Sequence, residues 1–335
     1  MQYKSLGRTG LQVSAACLGT MTFGADPNDY GCTEEESIRI IDKAIDLGVN
    51  FFDTANVYVK GTSETILGKA TNGKRDQLII ASKCHGKTHE TDPNAWGNTR
   101  RNIISSCEAS LKRLQTDWID LYQIHRPQPS VPIDETLRAL EDLIRQGKIR
   151  YAGCSTFAGW QVCEAHYVAK ALGISGFRTE QPPYNLLDRR IERELLPFCR
   201  TYDYGILTWS PLAGGQLTGK YLKEMPKEGR YVKSDLMGRF YKQNNGVIHK
   251  LKTIAEAYHM SLTTLCLAWV ASQQGITCPI IGIRKFSQLE ECVTACQVQL
   301  SEEILLEIDK IVPPQTHLVD YYNGPLFGPN TRPFC

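Results

Sequence analysis

Short apolar runs alternate with longer amphipathic segments along most of the chain. The run LIIAS at 78–82 is too short for a helix and has polar residues on both sides, which predicts a buried parallel strand. The segments 34–48 and 134–147 are amphipathic, with acidic residues in the first turn and a glycine at the end. Both features favour helices, because they complement the helix dipole and terminate the last turn.

Eight strand-like segments are recognisable in this alternation. They end near Thr20, Asp53, Lys83, His125, Ser155, Gln181, Ser210 and Gly282. Strands that alternate with helices predict parallel βα units, and eight such units predict an α/β fold of the closed (β/α)8, or TIM-barrel, type. A hairpin-like segment at 3–15 precedes them, and a stretch at about 219–246 is interpreted as a loop inserted after strand seven.

No linker or shift in composition divides the chain, so residues 1–335 are expected to form a single domain. The C-terminal tail, 313–335, carries proline, glycine and aromatic residues. Two interpretations of this tail stay open: an ordered cap on the barrel, and an unstructured end.

The composition is that of an ordinary globular protein, with 42% hydrophobic residues, 22% charged residues and a net charge of +2. Basic tracts with interleaved aromatic residues are missing, which argues against nucleic acid as a partner. The first residues have no apolar leader, and no stretch approaches the length of a membrane span. The 12 cysteines are scattered, without a CxxC pair, which favours a reduced, cytoplasmic protein.

Four polar residues stand where apolar runs end or just beyond. They are Asp53 and Tyr58 in FFDTANVY, Lys83 in LIIASK and His125 in WIDLYQIH. Titratable groups in such places are costly to desolvate unless they face a cleft or a partner. The carboxyl ends of barrel strands meet at one mouth, so we expect the four side chains to converge there. An acid, a phenol, an ammonium and an imidazole together suit proton transfer onto an oxygen.

Several further motifs, in the same order, give the chain a resemblance to the aldo-keto reductase family over nearly its whole length. They are LGTMTFG at 18–24, SETILG at 63–68, QPPYNLL at 181–187, WSPLAGGQLTGKY at 209–221 and GIRKFSQLEE at 282–291. The resemblance implies a (β/α)8 barrel that reduces aldehydes and ketones with a nicotinamide cofactor, usually NADPH.

The resemblance assigns catalytic roles that chemistry independently supports. Tyr58 would donate the proton to the developing alkoxide. Because a free phenol has a pKa near ~10, it benefits from a cation, which Lys83 would supply while Asp53 holds that lysine in an ion pair. His125 would donate to the carbonyl oxygen and orient it. The scheme needs no metal, and none is predicted, since no spaced His, Cys and Glu cluster is present.

Cofactor contacts are also implied by position-by-position matching. Ser155 and Gln181 would bind the nicotinamide carboxamide, and Trp209 would stack on the ring. Small residues of the following loop let backbone N–H groups approach the pyrophosphate, and Arg284 suits the 2′-phosphate. The full implied set is Thr20, Met21, Asp53, Ser155, Thr156, Gln181, Trp209, Ser210, Leu212, Gly214, Lys220, Gly282, Arg284, Gln288 and Glu291.

The chain departs from the family pattern at three positions. Thr156 and Cys292 stand where relatives commonly have asparagine, and Val59 takes a place often held by glycine. The first two changes each remove or shorten a hydrogen-bonding side chain, worth about 1 kcal/mol of cofactor affinity.

Two other function classes stay open. In the first, Lys83 forms a Schiff base in a barrel lyase or aldolase, although a neighbouring carboxylate keeps a lysine charged. In the second, the protein is a cofactor-sensing binding module, because the β subunits of potassium channels share this family's barrel.

Substrate specificity is expected from loops rather than from the catalytic residues. The relevant segments are 84–97 with Trp96, the loop after strand one with Phe23 and Tyr30, the inserted loop and the tail. Their aromatic residues favour hydrophobic or aromatic carbonyl substrates if they face the cleft, and plain packing if they contact each other. Neither the substrate nor the oligomeric state follows from the sequence.

Overall fold

The computed structural model of the chain describes residues 1–26, 31–222 and 243–318. The N-terminal segment is an antiparallel hairpin of β1 (Tyr3–Ser5) and β2 (Gln12–Ser14), as predicted. Much of the predicted inserted loop, at 223–242, and of the predicted tail, at 319–335, lies outside the described residues, as does Tyr30.

Eight parallel strands form a closed barrel, in which β10 pairs with β3 and β9. They are β3 (Cys17–Gly19), β4 (Phe51–Asp53), β5 (Ile79–Cys84), β6 (Ile119–Ile124), β7 (Ile149–Ser155), β8 (Phe177–Gln181), β9 (Gly205–Thr208) and β10 (Cys278–Gly282). Each strand ends within two residues of its predicted end. The (β/α)8 prediction is therefore confirmed.

Helices connect the strands. They are α1 (Glu34–Asp46), α2 (Thr62–Thr71), α3 (Arg100–Leu114), α4 (Ile133–Arg145), α5 (Gly159–Leu172), α6 (Leu195–Tyr202), α7 (Asn245–Ala257), α8 (Leu262–Ser272), α9 (Leu289–Ala295) and α10 (Glu302–Ile311). At α1, the Thr33 hydroxyl accepts a hydrogen bond from Glu36 N at 3.2 Å and so caps the first turn. Among the described residues, no helix has both the length and the apolar character to cross a membrane.

The apolar core has two parts, because successive strand residues point to opposite faces of the sheet. The larger part fills the space between the strands and the helices. The smaller part lies inside the barrel and includes Phe51, Ala81, Leu121 and Leu207. Polar residues occur two positions further along three of these strands, on the same inward face, so the apolar filling gives way to polar side chains at the carboxyl end.

The hairpin closes the amino-terminal end of the barrel. Its residues Leu6 and Val13 belong to the inner apolar cluster. The Lys4 ammonium donates to Ala271 O at 3.0 Å, and Arg8 N donates to Asp203 O at 2.7 Å, which joins the hairpin to the segments before β10 and β9. The barrel interior therefore opens at the carboxyl ends of its strands.

Helix α2, which follows Tyr58, packs closely on α3 at Gly68. A Cβ atom there would lie 2.5 Å from Leu114 O and 2.8 Å from Arg113 O. Overpacking of this kind costs about 1–3 kcal/mol, so we expect Gly68→Ala to lower the free energy of unfolding by that amount in urea titrations. Gly10→Ala is the matched control, because no heavy atom lies within 4 Å of its Cβ. Equal stability of the two variants would contradict this packing.

Candidate active site

Lys83 is fully buried at the end of β5, and its ammonium group has three partners. It donates to a carboxylate oxygen of Asp53 in an ion pair, to Thr54 O at 2.8 Å and to the Tyr58 hydroxyl oxygen at 3.2 Å. An ammonium group has three hydrogens, so these contacts use all of them. The Tyr58 oxygen accepts one of these bonds, which leaves its own O–H free to donate to another acceptor.

Asp53 holds this arrangement together from the neighbouring strand. Its second carboxylate oxygen accepts from Gln123 Nε2 at 3.2 Å and from Gln181 Nε2 at 2.9 Å. The Gln181 amide also donates to Gln123 Oε1 at 3.2 Å. Sequence reasoning missed Gln123, although it stands two residues before His125 and therefore on the same face of β6.

Two opposing effects set the pKa of the Lys83 ammonium. Burial lowers it, while the charge of Asp53, the neighbouring Tyr58 and hydrogen bonds to both raise it, and the net result is a raised pKa. Lys83 is therefore protonated at neutral pH and acts as a fixed cation beside the phenol oxygen.

His125 follows β6 and faces Tyr58 across the site. The two rings meet edge to face, with their centroids 5.7 Å apart. Burial, together with the charges of Arg126 and Lys83 and the nearby His85, holds the pKa of His125 well below its usual range. The imidazole is thus neutral at neutral pH, with one ring N–H to donate.

Tyr58 begins a short 3₁₀ segment, Tyr58–Gly61, with unusual backbone angles. Val59 has φ 48° and Lys60 has φ 53°, both in the left-handed region. A β-branched residue is an outlier there, which explains why glycine suits position 59. Each such residue costs on the order of 1–3 kcal/mol, so the loop that carries the phenol is held under strain by its surroundings.

The residues predicted to bind the nicotinamide lie at the ends of β7, β8 and β9. Ser155 and Gln181 are buried next to each other, and the Ser155 hydroxyl donates to Gln181 O at 2.8 Å. Thr156 follows in a left-handed conformation, φ 63°. Trp209 is partly buried just beyond β9, and its backbone N–H donates to Pro182 O at 2.9 Å.

The segment predicted to lie beneath the pyrophosphate is a second 3₁₀ segment, Ala213–Thr218. Leu212 precedes it, and the Ser210 hydroxyl accepts from Gly214 N at 3.2 Å. Gly214 has φ 65°, which glycine adopts at no steric cost.

Lys220, predicted to add charge at the pyrophosphate, lies near two cations of the loop after β10, Lys285 and Arg284, the second of which is predicted to bind the 2′-phosphate. The pKa of Lys220 is lowered by partial burial of its ammonium and then by the charges of Arg284 and Lys285. Arg284 N and Lys285 N both donate to Gln288 Oε1, at 3.2 and 3.0 Å. Mutually repelling cations held near one another create a positive potential suited to a phosphate group. Gly282 is exposed beside them.

Several predicted residues lie elsewhere or have other partners. Thr20 is fully buried, with its hydroxyl 2.7 Å from Ser63 Oγ, and of the predicted first-strand pair only Met21 is exposed. Of the two alternatives for Phe23, the structure supports packing and not a place on the cleft, because its side chain is fully buried in the larger part of the core. Glu291 accepts from the Ser261 hydroxyl at 2.5 Å, and Cys292 is buried within α9.

Two residues of the mouth, His85 and Arg126, were missed by sequence reasoning. His85 Nδ1 lies 2.8 Å from Asn98 Oδ1, and its ring meets Trp96 edge to face, at 6.0 Å between centroids. Trp96 is 45% exposed. Arg126 contacts the ends of neighbouring strands. Its position directly after His125 was the available signal.

Comparison with known proteins agrees with this geometry. Residues 15–313 match the model of the aldo/keto reductase family. The chain is 39% identical over 325 residues to YrpG, an uncharacterized oxidoreductase of Bacillus subtilis, covering 93% of this chain and 96% of that protein. It is 33% identical over 345 residues to the aldo-keto reductase dtxS3 of Metarhizium robertsii, covering 94% and 92%. A probable voltage-gated potassium channel subunit beta of rice, Oryza sativa subsp. japonica, is 36% identical over 338 residues, covering 96% and 100%.

The chain belongs to the aldo/keto reductase family. The family resemblance seen in the sequence is therefore confirmed, and membership supports an oxidoreductase.

The depressed pKa of His125 has a consequence for stability. Below a pH of about 6.5 the unfolded chain protonates this histidine while the folded chain does not, so acidification favours unfolding. Between about pH 7.5 and 5.5 we expect the wild type to lose ~1 kcal/mol more unfolding free energy than His125→Asn. Urea titrations of both proteins at the two pH values measure this difference. Equal pH dependence would contradict a neutral His125.

Proposed function

We propose that the protein is an NADPH-dependent oxidoreductase that reduces aldehydes or ketones to alcohols. The observation that carries this proposal is the Lys83 ammonium group, which is buried between the Asp53 carboxylate and the Tyr58 hydroxyl oxygen. Such a cation stabilises the phenolate that remains after Tyr58 gives up its proton. A purely structural ion pair does not require a phenol hydroxyl beside the ammonium group.

The residues of the predicted cofactor site fit a dinucleotide phosphate. Lys220, Arg284 and Lys285 supply positive charge, and a guanidinium matches phosphate geometry. Trp209 offers an aromatic face near the strand ends, beside the buried Ser155 and Gln181. When bound, NADPH supplies a hydride to the carbonyl carbon of the substrate.

The proposed roles of the protein groups follow from their geometry. The neutral His125 imidazole donates a hydrogen bond to the carbonyl oxygen and fixes its position. As negative charge develops on that oxygen, Tyr58 transfers its hydroxyl proton to it. Lys83 stabilises the resulting phenolate, and solvent reprotonates it in the next cycle. Asp53, with Gln123 and Gln181, keeps the ammonium in place.

The lyase alternative requires a neutral, nucleophilic lysine. The raised pKa of Lys83 and its three hydrogen-bond acceptors argue against that role. The second candidate, a cofactor-sensing binding module, is favoured by the relatives named as potassium channel β subunits in rice and in Schizosaccharomyces pombe, each 36% identical to this chain. Steady-state turnover with a reactive aldehyde separates the proposed reductase from the binding module, since a sensor binds NADPH but reduces aldehydes slowly.

The substrate class we infer is a hydrophobic or aromatic carbonyl compound. Trp96 supports this inference, because its ring is 45% exposed in the loop after β5. A panel of aromatic, aliphatic and charged aldehydes, ketones and alcohols, assayed in both directions, tests it. We also infer a reducing, cytoplasmic location, which the free thiols of the described cysteines support.

Removal of the proposed proton donor tests the mechanism. Tyr58→Phe removes one oxygen and keeps the ring, so folding and NADPH binding should survive. A positioned acid contributes about 10²–10⁴-fold to the rate, and kcat for a good aldehyde should fall by that factor. Tyr167→Phe, an exposed tyrosine on α5, is the matched control. Near-normal turnover of Tyr58→Phe would mean that the proton comes from another group.

Cofactor preference is tested at Arg284. A charge-assisted hydrogen bond to the 2′-phosphate is worth roughly 1.5–3 kcal/mol, so Arg284→Ala should remove most of a preference for NADPH over NADH. The measurement is kcat/KM for both cofactors, with the exposed Arg145→Ala as control. Equal values for the two cofactors in the wild type would contradict the proposal.

A further inference from the structure

Arg126 joins the ends of several barrel strands. Its Nη1 atom donates to His125 O at 2.7 Å and to Thr156 Oγ1 at 2.8 Å. The guanidinium carbon lies 5.9 Å from the centre of the Trp209 ring. The carbonyl oxygen of Arg126 in turn accepts from Asn98 Nδ2 at 2.9 Å, in the loop after β5. One residue thus connects the ends of β6, β7 and β9 with that loop.

Thr156, at one end of this connection, has a backbone conformation that threonine disfavours. Its φ of 63° lies in the left-handed region, where a β-branched residue is an outlier. Such a conformation persists only when surrounding contacts hold it. Its contacts include Thr156 N to Gln181 O at 3.2 Å, the Ser155 hydroxyl at 3.3 Å and the Arg126 guanidinium. Of these three, only the bond from Arg126 reaches across to β6.

We propose that Arg126 is a positioning residue of the active site. Through the His125 carbonyl and the Thr156 hydroxyl it fixes the ends of β6 and β7 relative to each other. This holds the His125 imidazole and the strained Thr156 peptide in position at the ends of the two strands. This inference rests on the proposed function, because the position of His125 matters for the rate only if His125 orients a carbonyl oxygen.

The charge of Arg126 has a second effect at the same place. The groups that face His125 are the edge-on Tyr58 ring, the Lys83 ammonium, the Arg126 guanidinium and the neighbouring His85. Burial contributes most to the low pKa of His125, and Arg126 contributes most among the charged groups. Loss of the guanidinium should therefore make His125 easier to protonate, whereas loss of the Thr156 hydroxyl alone should not.

Three variants separate geometry from charge. Arg126→Lys keeps the charge, but its side chain ends one bond short of the Nη1 position and lacks the planar guanidinium, so its ammonium cannot reach both acceptors from the same place. Arg126→Met removes both the charge and the hydrogen bonds. Thr156→Val removes the acceptor and keeps Arg126. Thr156→Ser retains a hydroxyl and should lose less activity than Thr156→Val, and Arg138→Met, an exposed arginine on α4, is the remote control.

The experiment compares kcat and KM for 4-nitrobenzaldehyde and 4-carboxybenzaldehyde, NADPH affinity by fluorescence, thermal unfolding, and the titration of His125 by NMR. The His125 signal is identified among the seven histidine signals by its absence in His125→Asn. A small misplacement of a reacting group costs up to ~10²-fold, so we expect Arg126→Lys, Arg126→Met and Thr156→Val to lower kcat by about 10–100-fold. KM for the uncharged aldehyde should change less than about threefold in all three variants, and NADPH affinity should change less than about threefold in the two Arg126 variants. The NMR pKa of His125 should rise in Arg126→Met alone.

Other outcomes would overturn the proposal. A rise in KM for the carboxylated aldehyde alone, with kcat unchanged, would make Arg126 a substrate contact. Loss of NADPH binding together with loss of thermal stability in both Arg126 variants would make Arg126 merely structural. If the wild type reduced no carbonyl compound, the proposed function would fail. An unchanged His125 titration in Arg126→Met would separately refute the effect of its charge.

Discussion

The arrangement of the barrel mouth depends on one ion pair between Lys83 and Asp53, which is buried inside the barrel. Two charges removed from water are costly unless every donor and acceptor is satisfied, and removal of one partner from such a pair typically costs about 3–5 kcal/mol. Here the carboxylate receives the ammonium and two glutamine amides, so residues from β4, β5, β6 and β8 converge on one group. The Lys83 ammonium also donates a hydrogen bond to the Tyr58 hydroxyl oxygen, so the position of that hydroxyl depends on the ion pair.

The periodicity of the chain was sufficient to predict most of this arrangement. Strand ends are marked by the change from apolar to polar residues, and the barrel brings those ends together, so Asp53, Tyr58, Lys83 and His125 were expected to converge, and in the structure they do. The inward face of each strand carried further information. Gln123 lies two residues before His125 and is recognisable once the two-residue alternation is applied to β6.

Contacts between loops were not predictable in the same way. Phe23 and Thr20 share a motif with exposed Met21, yet they turn into the protein, because the direction of a side chain in a loop depends on local backbone angles rather than on a repeating pattern. Thr156, which accepts a hydrogen bond from Arg126, is 30 residues away from it in sequence and becomes its neighbour only through the pairing of β6 with β7. The left-handed backbone of Val59 and Thr156 likewise follows from tertiary contacts, since both residue types disfavour it.

The N-terminal hairpin has a consequence for the order in which the protein folds during synthesis. It leaves the ribosome before the barrel strands, yet Lys4 and Arg8 contact residues 271 and 203, which are made much later. The first barrel strand, β3, likewise needs β10 as a neighbour. Contacts between residues so far apart in sequence form slowly, because a long loop must close before they contribute. The beginning of the chain must therefore wait for nearly all of the polypeptide before the barrel is complete, and a nascent chain truncated before β10 exposes both edges of its unfinished sheet.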